Sequence, residues 1–179
     1  MAFQMAIPCH DGEKKMQQLM RLPDMDNPTS SMLTAQAANL LQRAPLLAIG
    51  TLDSENRPWT TVWGGKPGLS QPLGQSIIGI KTPVDMRHDP VVNILLGSKV
   101  DGEVTREEGQ GRMVSGLIID LMLRKRVKLF GRMVAGALGA VNSEISESTL
   151  GSSEGQVQLV MRIDQSLGTR DFFGRNRLC

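Results

Sequence analysis

The stretch "GTLDSENRPWTTVWGG", residues 50–65, decides the fold. The apolar run "LLAIGTL" (46–52) enters the polar turn "DSEN", and "RPWTTVW" (57–63) leaves it. Two neighbouring strands joined by a short turn are predicted. The first is apolar at nearly every position, as a strand covered on both faces should be. On the second, alternation puts Arg57, Trp59, Thr61 and Trp63 on one face and Thr60 and Val62 on the other. The exit, "GGKPG" (64–68), is glycine-rich and would let backbone come close to a ligand or a partner.

Upstream, "HDGEKKMQQLMR" (10–21) predicts a short helix with Asp11 as its cap. A second helix is predicted over 32–44, where Leu33, Ala37, Leu40, Leu41 and Ala44 recur at spacings of three and four before Pro45 ends the run. The connector "PDMDNPTSS" (23–31) separates the two helices. Downstream, "QSIIGI" (75–80) predicts a third strand. "DPVVNILL" (89–96) has an Asp cap followed by Pro at the first helical position, which predicts a short helix, with a strand as the competing reading. Residues 97–112 form a polar loop longer than the usual ~4–6 residues. "MVSGLIID" (113–120) and "RVKLFGRMV" (126–134) predict two more strands; in the second, Val127, Leu129 and Met133 face one way and Arg126, Lys128 and Arg132 the other. A linker rich in Ser and Glu (141–155) leads to "QVQLVMRI" (156–163), with Val157, Leu159, Met161 and Ile163 inward. Six strands, mostly neighbours in pairs, and two or three helices predict a mainly β chain. The expected form is an antiparallel barrel with helices packed outside it.

The 179 residues suit one domain with a single core. Only 3% are aromatic and tyrosine is absent, so aliphatic residues and methionine must carry that core, and both tryptophans fall within one strand. A net charge of +2 is too small to argue for nucleic acid or a membrane as partner. Cys9 and Cys179 offer neither a disulfide framework nor metal-ligand spacing, so a reduced, cytoplasmic chain is expected. No run approaches the ~20 apolar residues of a membrane span.

Phosphate-binding glycine loops and zinc-binding His-Glu-x-x-His patterns are absent, and two histidines exclude a His-rich metal site. His10 is read as a capping or packing residue at the first helix, and His88, beside Asp89, as a surface residue. The cations say more. "RKRVK" (124–128) with Arg132, and Arg57, Lys66, Lys81 and Arg87 at other strand ends, each read singly as a solvated face. Together they suit an anionic ligand such as a phosphate at a barrel edge. Trp59 and Trp63 either cover a core or interface or lie against a planar ring.

In this order, "LLAIGTLDSENRPWTTVWGGKPG", "SIIGI", "GLIIDLMLRKRVKLFGRM" and "VQLVMRIDQSLG" resemble the flavin-binding split-barrel proteins related to pyridoxamine 5'-phosphate oxidase. The flavin-nucleotide-binding branch is matched further by "HDGEKKMQ" (10–17) and "IDLMLRKRVKLFGR" (119–132). The resemblance runs from residue 10 to about 168. It implies a six-stranded split barrel (32–168) after an N-terminal helix and connector (1–31), and a homodimer with FMN at the subunit interface. Carried onto this chain, the flavin-lining positions are Arg57, Trp59, Thr60, Thr61 and Val62 on one strand and Ile80, Lys81 and Thr82 at the end of the next. Arg87 would contact the phosphate, and Arg126 and Lys128 would reach the flavin from the "RVK" strand.

An FMN-dependent oxidoreductase is thus the expected activity, moving electrons or hydride between reduced nicotinamide nucleotide, NAD(P)H, and a small organic substrate. The flavin itself carries that chemistry, and no residue is assigned as a catalytic acid or base. The tail departs from the branch: after "QSLG" it reads "TRDFFGRNRLC" (169–179) where Asn-Cys-Pro-Lys-Tyr would follow, which removes a lysine and a tyrosine. A non-redox binding or accessory protein on the same fold is therefore the alternative, with a haem-binding split barrel, ligated by His10 or His88, as another. Nucleic-acid binding through "RKRVK" ranks last. The segment by which the oxidases recognise pyridoxamine phosphate is also missing, so that substrate is not expected.

Overall fold

The computed structural model describes residues 7–22, 29–97, 102–140 and 154–168. Their elements run α1 (Asp11–Leu19), β1 (Thr29–Ser30), α2 (Ala35–Arg43), β2 (Leu46–Leu52), β3 (Pro58–Gly64), β4 (Ser70–Pro72), β5 (Ile77–Asp85), α3 (Pro90–Leu96), β6 (Thr105–Arg106), β7 (Met113–Asp120), β8 (Lys125–Ala140) and β9 (Glu154–Gly168). The expected tail at 169–179, most of the linker at 141–155 and most of the connector at 23–31 lie outside the described residues.

Six long strands make the body, in the order β3-β2-β7-β8-β9-β5, and every neighbouring pair is antiparallel. The short strands attach at the margins: β4 on β5, β1 on β9 and β6 on β8. The sheet curls until its two ends meet. There the Thr82 hydroxyl of β5 donates to the Gly64 carbonyl of β3 at 2.6 Å, in place of a ladder among the described residues. The barrel is closed by this contact and split along the same seam. The expected mainly β, six-stranded antiparallel split barrel with outer helices is what the chain forms.

Curvature is concentrated in β8 and β9. Their register shifts between Phe130 and Gly131 and again between Met133 and Ala135, which bends two strands of 16 and 15 residues around the core. A side chain on Gly131 would run into the Arg162 carbonyl, so the bend needs glycine there. The interior is aliphatic, as composition requires. Leu47 and Ile49 of β2, Ile78 and Ile80 of β5, Ile118 of β7, Leu129 and Met133 of β8 and Leu159, Met161 and Ile163 of β9 are all buried.

Two helices cover the barrel. In α2 the Thr34 hydroxyl accepts from the Ala37 amide at 3.1 Å, and the helix buries Ala37, Leu40 and Leu41. The competition over 89–96 is settled as a helix, α3. Asp89 caps it, its Oδ1 accepting from the amides of Val91 at 2.9 Å and Val92 at 3.1 Å. At the other end the Arg112 guanidinium donates to the carbonyls of Ile94 and Leu95, both at 2.7 Å, satisfying acceptors that the last turn leaves open.

Several expectations need correction. His10, not Asp11, caps α1: its Nδ1 accepts from the Gly12 amide at 3.1 Å while Glu13 reaches back to the His10 amide at 2.8 Å. β2 is not covered on both faces, since Leu46 is exposed and only Leu47, Ile49 and Thr51 among its side chains are buried. β5, β8 and β9 extend well past the predicted runs of 75–80, 126–134 and 156–163. The loop at 97–112 contains β6, held on β8 opposite Gly136 and Ala135.

Candidate functional site

The β2–β3 hairpin is organised by one carboxylate. Asp53 Oδ1 accepts from the amides of Glu55 and Arg57, both at 2.9 Å, and Oδ2 accepts from Arg57 Nε at 2.7 Å and from the Trp59 indole at 3.0 Å. These donors, the indole first, hold the Asp53 carboxyl well below the usual carboxylate range. Asn56 completes the turn with φ of 60°. Arg57, also paired with Glu55 at 2.9 Å, and Trp59 are therefore engaged in holding the turn.

Beyond the turn the strand alternates as its sequence does, and the register settles which face is which. Trp63 points into the core, 3% exposed, with its indole donating to Asp89 Oδ2 at 2.9 Å. Thr61 is half-buried on the same side, whereas Thr60 and Val62 face outward. The tryptophans do not form one aromatic wall: Trp63 joins the core to the α3 cap, and Trp59 lies against the turn.

The outward face of β3, β2, β7, β8 and β9 carries a groove of about 560 Å³. Two rows of residues cross it, set by strand register. One row runs Thr60, Gly50, Ser115, Phe130, Gln165. The next runs Val62, Ala48, Leu117, Lys128, Leu167 and ends on Thr29 of β1. All of these line the groove except Val62. Gly50 lets the strands of the floor stand close, because a Cβ there would lie 2.9 Å from Ser115 Oγ, 3.1 Å from a Thr60 methyl and 3.2 Å from the Trp59 carbonyl oxygen. Lys128 is the one charged side chain in the lining. The donor set is three hydroxyls (Thr29, Thr60 and Ser115), one amide and one ammonium on an otherwise apolar wall, which suits a flat, partly polar ring with an anionic end.

The expected site residues are thus divided. Thr60 and Lys128 come together in this groove. Arg126 stands one pleat along from Lys128 on the same face, opposite Ile119 and outside the lining. Ile80 is buried in the core and Thr82 closes the barrel seam. Lys81 faces a second groove of about 650 Å³ on the outer side of β4, β5 and β9, with Lys66, Gln71 and Gln158. Both Ile80 and Thr82 also touch that groove. Arg87 is exposed on the turn after β5, where Asp85 Oδ1 accepts from its amide at 2.9 Å and Asp85 Oδ2 lies 2.9 Å from His88 Nδ1. Neither histidine lines either groove. Among the described residues no group of three or more His, Cys, Asp or Glu side chains is placed to hold a metal ion.

Gly50, Ser115, Leu117, Phe130, Gln165 and Leu167 were not anticipated from the sequence. The signal available was local: Ser115 and Leu117 alternate with buried Val114 and Ile118. Their meeting with Thr60 depends on β2 pairing with β7 across the barrel, which no local pattern encodes.

No family model matches the chain, and no curated protein matches it. Solved structures do. A pyridoxamine 5'-phosphate oxidase candidate from Lactobacillus delbrueckii superposes with a TM-score of 0.45 at 13% identity, covering 76% of this chain and 94% of its own. An F420 reductase gives a TM-score of 0.45 at 11% identity, over 75% of this chain and 98% of its own. A FAD- and haem-binding protein from Mycobacterium smegmatis gives 0.41 at 12% identity, over 84% and 77%. The chain is similar in fold to pyridoxamine 5'-phosphate oxidase-type proteins, the group its sequence motifs resemble.

Proposed function

We propose that the protein binds FMN in the groove on the outer face of β3, β2, β7, β8 and β9 and works as an oxidoreductase on a small organic substrate, with NAD(P)H as electron donor. The observation that carries this reading is the row Thr60–Gly50–Ser115–Phe130–Gln165: five strands present small, polar and aromatic groups at one level.

The residues fit the group. The hydroxyls of Thr60 and Ser115 and the amide of Gln165 suit the polar edge of a flavin ring, Leu117 and Phe130 its apolar faces, and Lys128, with Arg126 beside it, the phosphate. When bound, the flavin supplies the electron-accepting centre. The chain's contribution is to hold and orient it, to shield part of it from water, and to place a positive charge near its anionic end. No side chain in the groove other than Lys128 carries a charge, so the residues act in recognition and no catalytic acid or base is assigned. A homodimer that covers the open side of this groove belongs to the same proposal, as does a cytoplasmic location.

The test is a titration of FMN followed by quenching of its fluorescence. Wild type should bind saturably. Ser115→Leu, which puts bulk into the groove from an exposed position, should weaken binding by about tenfold or more while leaving the circular dichroism spectrum unchanged. Equal affinity of the two proteins would place the flavin elsewhere. Absence of binding to either, together with uptake of a non-redox ligand, would favour the accessory-protein reading.

A further inference from the structure

The tip of the β7–β8 hairpin is built from consecutive apolar residues that no other described element covers. Asp120 pairs with Lys125 across the end of the ladder, leaving Leu121, Met122, Leu123 and Arg124 as the turn. Leu121 is 83% exposed, Met122 92% and Leu123 50%, and Ile119 next to them is also exposed. The turn is ordered: Asp120 Oδ1 accepts from the Leu123 amide at 2.9 Å, and Arg124 closes it with φ of 53°. It also projects. The β2 partners of β7 end at Leu117, and the β9 partners of β8 begin at Val127, so the last residues of the hairpin pair only with each other among the described residues. Other large aliphatics are exposed singly on the surface, Leu46 and Leu73 among them, but Leu121, Met122 and Leu123 are consecutive, and Leu121 and Met122 are the most exposed of the large hydrophobics among the described residues.

Charge is distributed around that tip in a consistent way. Arg124, Lys125, Arg126 and Lys128 follow it directly, and from Met113 to Ala140 the only carboxylate is Asp120. An apolar wedge with a basic collar matches one kind of surface: an anionic lipid bilayer, where the wedge enters the interface and the long basic side chains stay at headgroup level. A second copy of this chain fits less well. A symmetric tip-to-tip contact would oppose like charges, and the outer-face groove offers the tip Lys128 as its one charged group, of the wrong sign.

We infer that the hairpin tip Leu121–Arg124 docks the protein peripherally on membranes rich in anionic lipid. The net charge of +2 gave no hint of this, because the cations are concentrated locally and the charge over the whole chain is nearly balanced. Nor does docking need a spanning segment: no helix among the described residues is long and apolar enough to cross a membrane. The inference is independent of what the groove binds.

The experiment is co-sedimentation of the full chain with vesicles of phosphatidylcholine alone and of phosphatidylcholine mixed with phosphatidylserine, alongside light scattering of the protein without lipid. Wild type should sediment with the mixed vesicles and stay in solution with the neutral ones. The double variant Leu121→Ser/Met122→Ser should lose binding at least about fivefold. Arg124→Gly, which suits the positive φ and removes a charge, should lose about fivefold, as expected for one basic residue at an anionic surface. A Met122→Trp variant should show a blue shift in emission on binding. Wild type that ignores both vesicles would overturn the inference. So would apolar variants that bind as well as wild type, which would mean charge attraction alone. A lipid-free dimer that the double variant converts to monomer would also overturn it, because a second copy would then be the occupant of the tip.

Discussion

Replacing Asp89 by alanine tests how the core and α3 are tied together, and its cost can be worked from the structure. Asp89 is buried and holds three donors. Two are the amides of Val91 and Val92 at the start of α3; losing such a cap costs about 0.5–2 kcal/mol. The third is the Trp63 indole at 2.9 Å, which in the variant would be a buried donor without a partner, at about 1–3 kcal/mol. The sum is about 1.5–5 kcal/mol, or about 3–20 °C in Tm for a domain of this size. Urea denaturation followed by circular dichroism would read it. Asp89→Asn divides the two parts, since its amide oxygen can still cap the helix while its NH2 cannot accept from the indole; it should recover about 1 kcal/mol of the loss. An Asp89→Ala variant within about 0.5 kcal/mol of wild type would refute the argument, and with it the assignment of Trp63 as a core residue.

Three further predictions concern the hairpin and the groove. Lys128→Ala should weaken FMN binding by about tenfold or more, the loss of one charge-assisted contact, Arg126→Ala less, and Arg124→Ala least, because only Lys128 lines the groove; equal dissociation constants for the three would show that the register does not govern binding. Asp53 has a carboxyl pKa lowered in the folded chain, so its contribution to stability is fully present above the ordinary Asp value of ~4 and is lost as pH falls below that toward the folded value. Thermal melts should show wild type keeping its full margin over Asp53→Asn above about pH 5 and losing it progressively below about pH 4; a margin that stays constant from about pH 5 down to about pH 2 would contradict this. Gly131→Ala should destabilise severely, since the new Cβ meets the Arg162 carbonyl in the β8–β9 bulge; a melt unchanged by more than a few degrees would show that the bulge can relax.

The sequence was most legible where one short pattern determines one short element. Apolar spacing specifies α2, though not its start at Ala35 behind the Thr34 cap, which falls inside the predicted 32–44. Asp-Pro specifies the start of α3, and strict alternation put Val157, Leu159, Met161 and Ile163 in the core. Strand lengths were not legible. The run 134–140, "VAGALGA", has little hydrophobic alternation, and it is a strand because β9 pairs with it from Val160 back to Gly155. β5 runs past the predicted 75–80 through Pro83, which sits opposite Gln156 beyond the reach of β4, where one side of the strand needs no donor. The hairpin's faces could be listed but not assigned, because which face is the core depends on Asp89 and Leu47, the first contributed by a distant turn. The groove was legible only at Thr60 and Lys128. Its other members are brought together by a strand order that no local pattern encodes.

The central claim, flavin on the outer face of the barrel, is tested most directly by the visible absorption spectrum of gently purified protein, repeated after adding FMN and desalting. The account predicts bands near ~370 and ~450 nm, the usual flavin maxima, retained by wild type and lost in Ser115→Leu. A protein that stays colourless after FMN is added, or one that carries a haem band near ~400 nm instead, would contradict it.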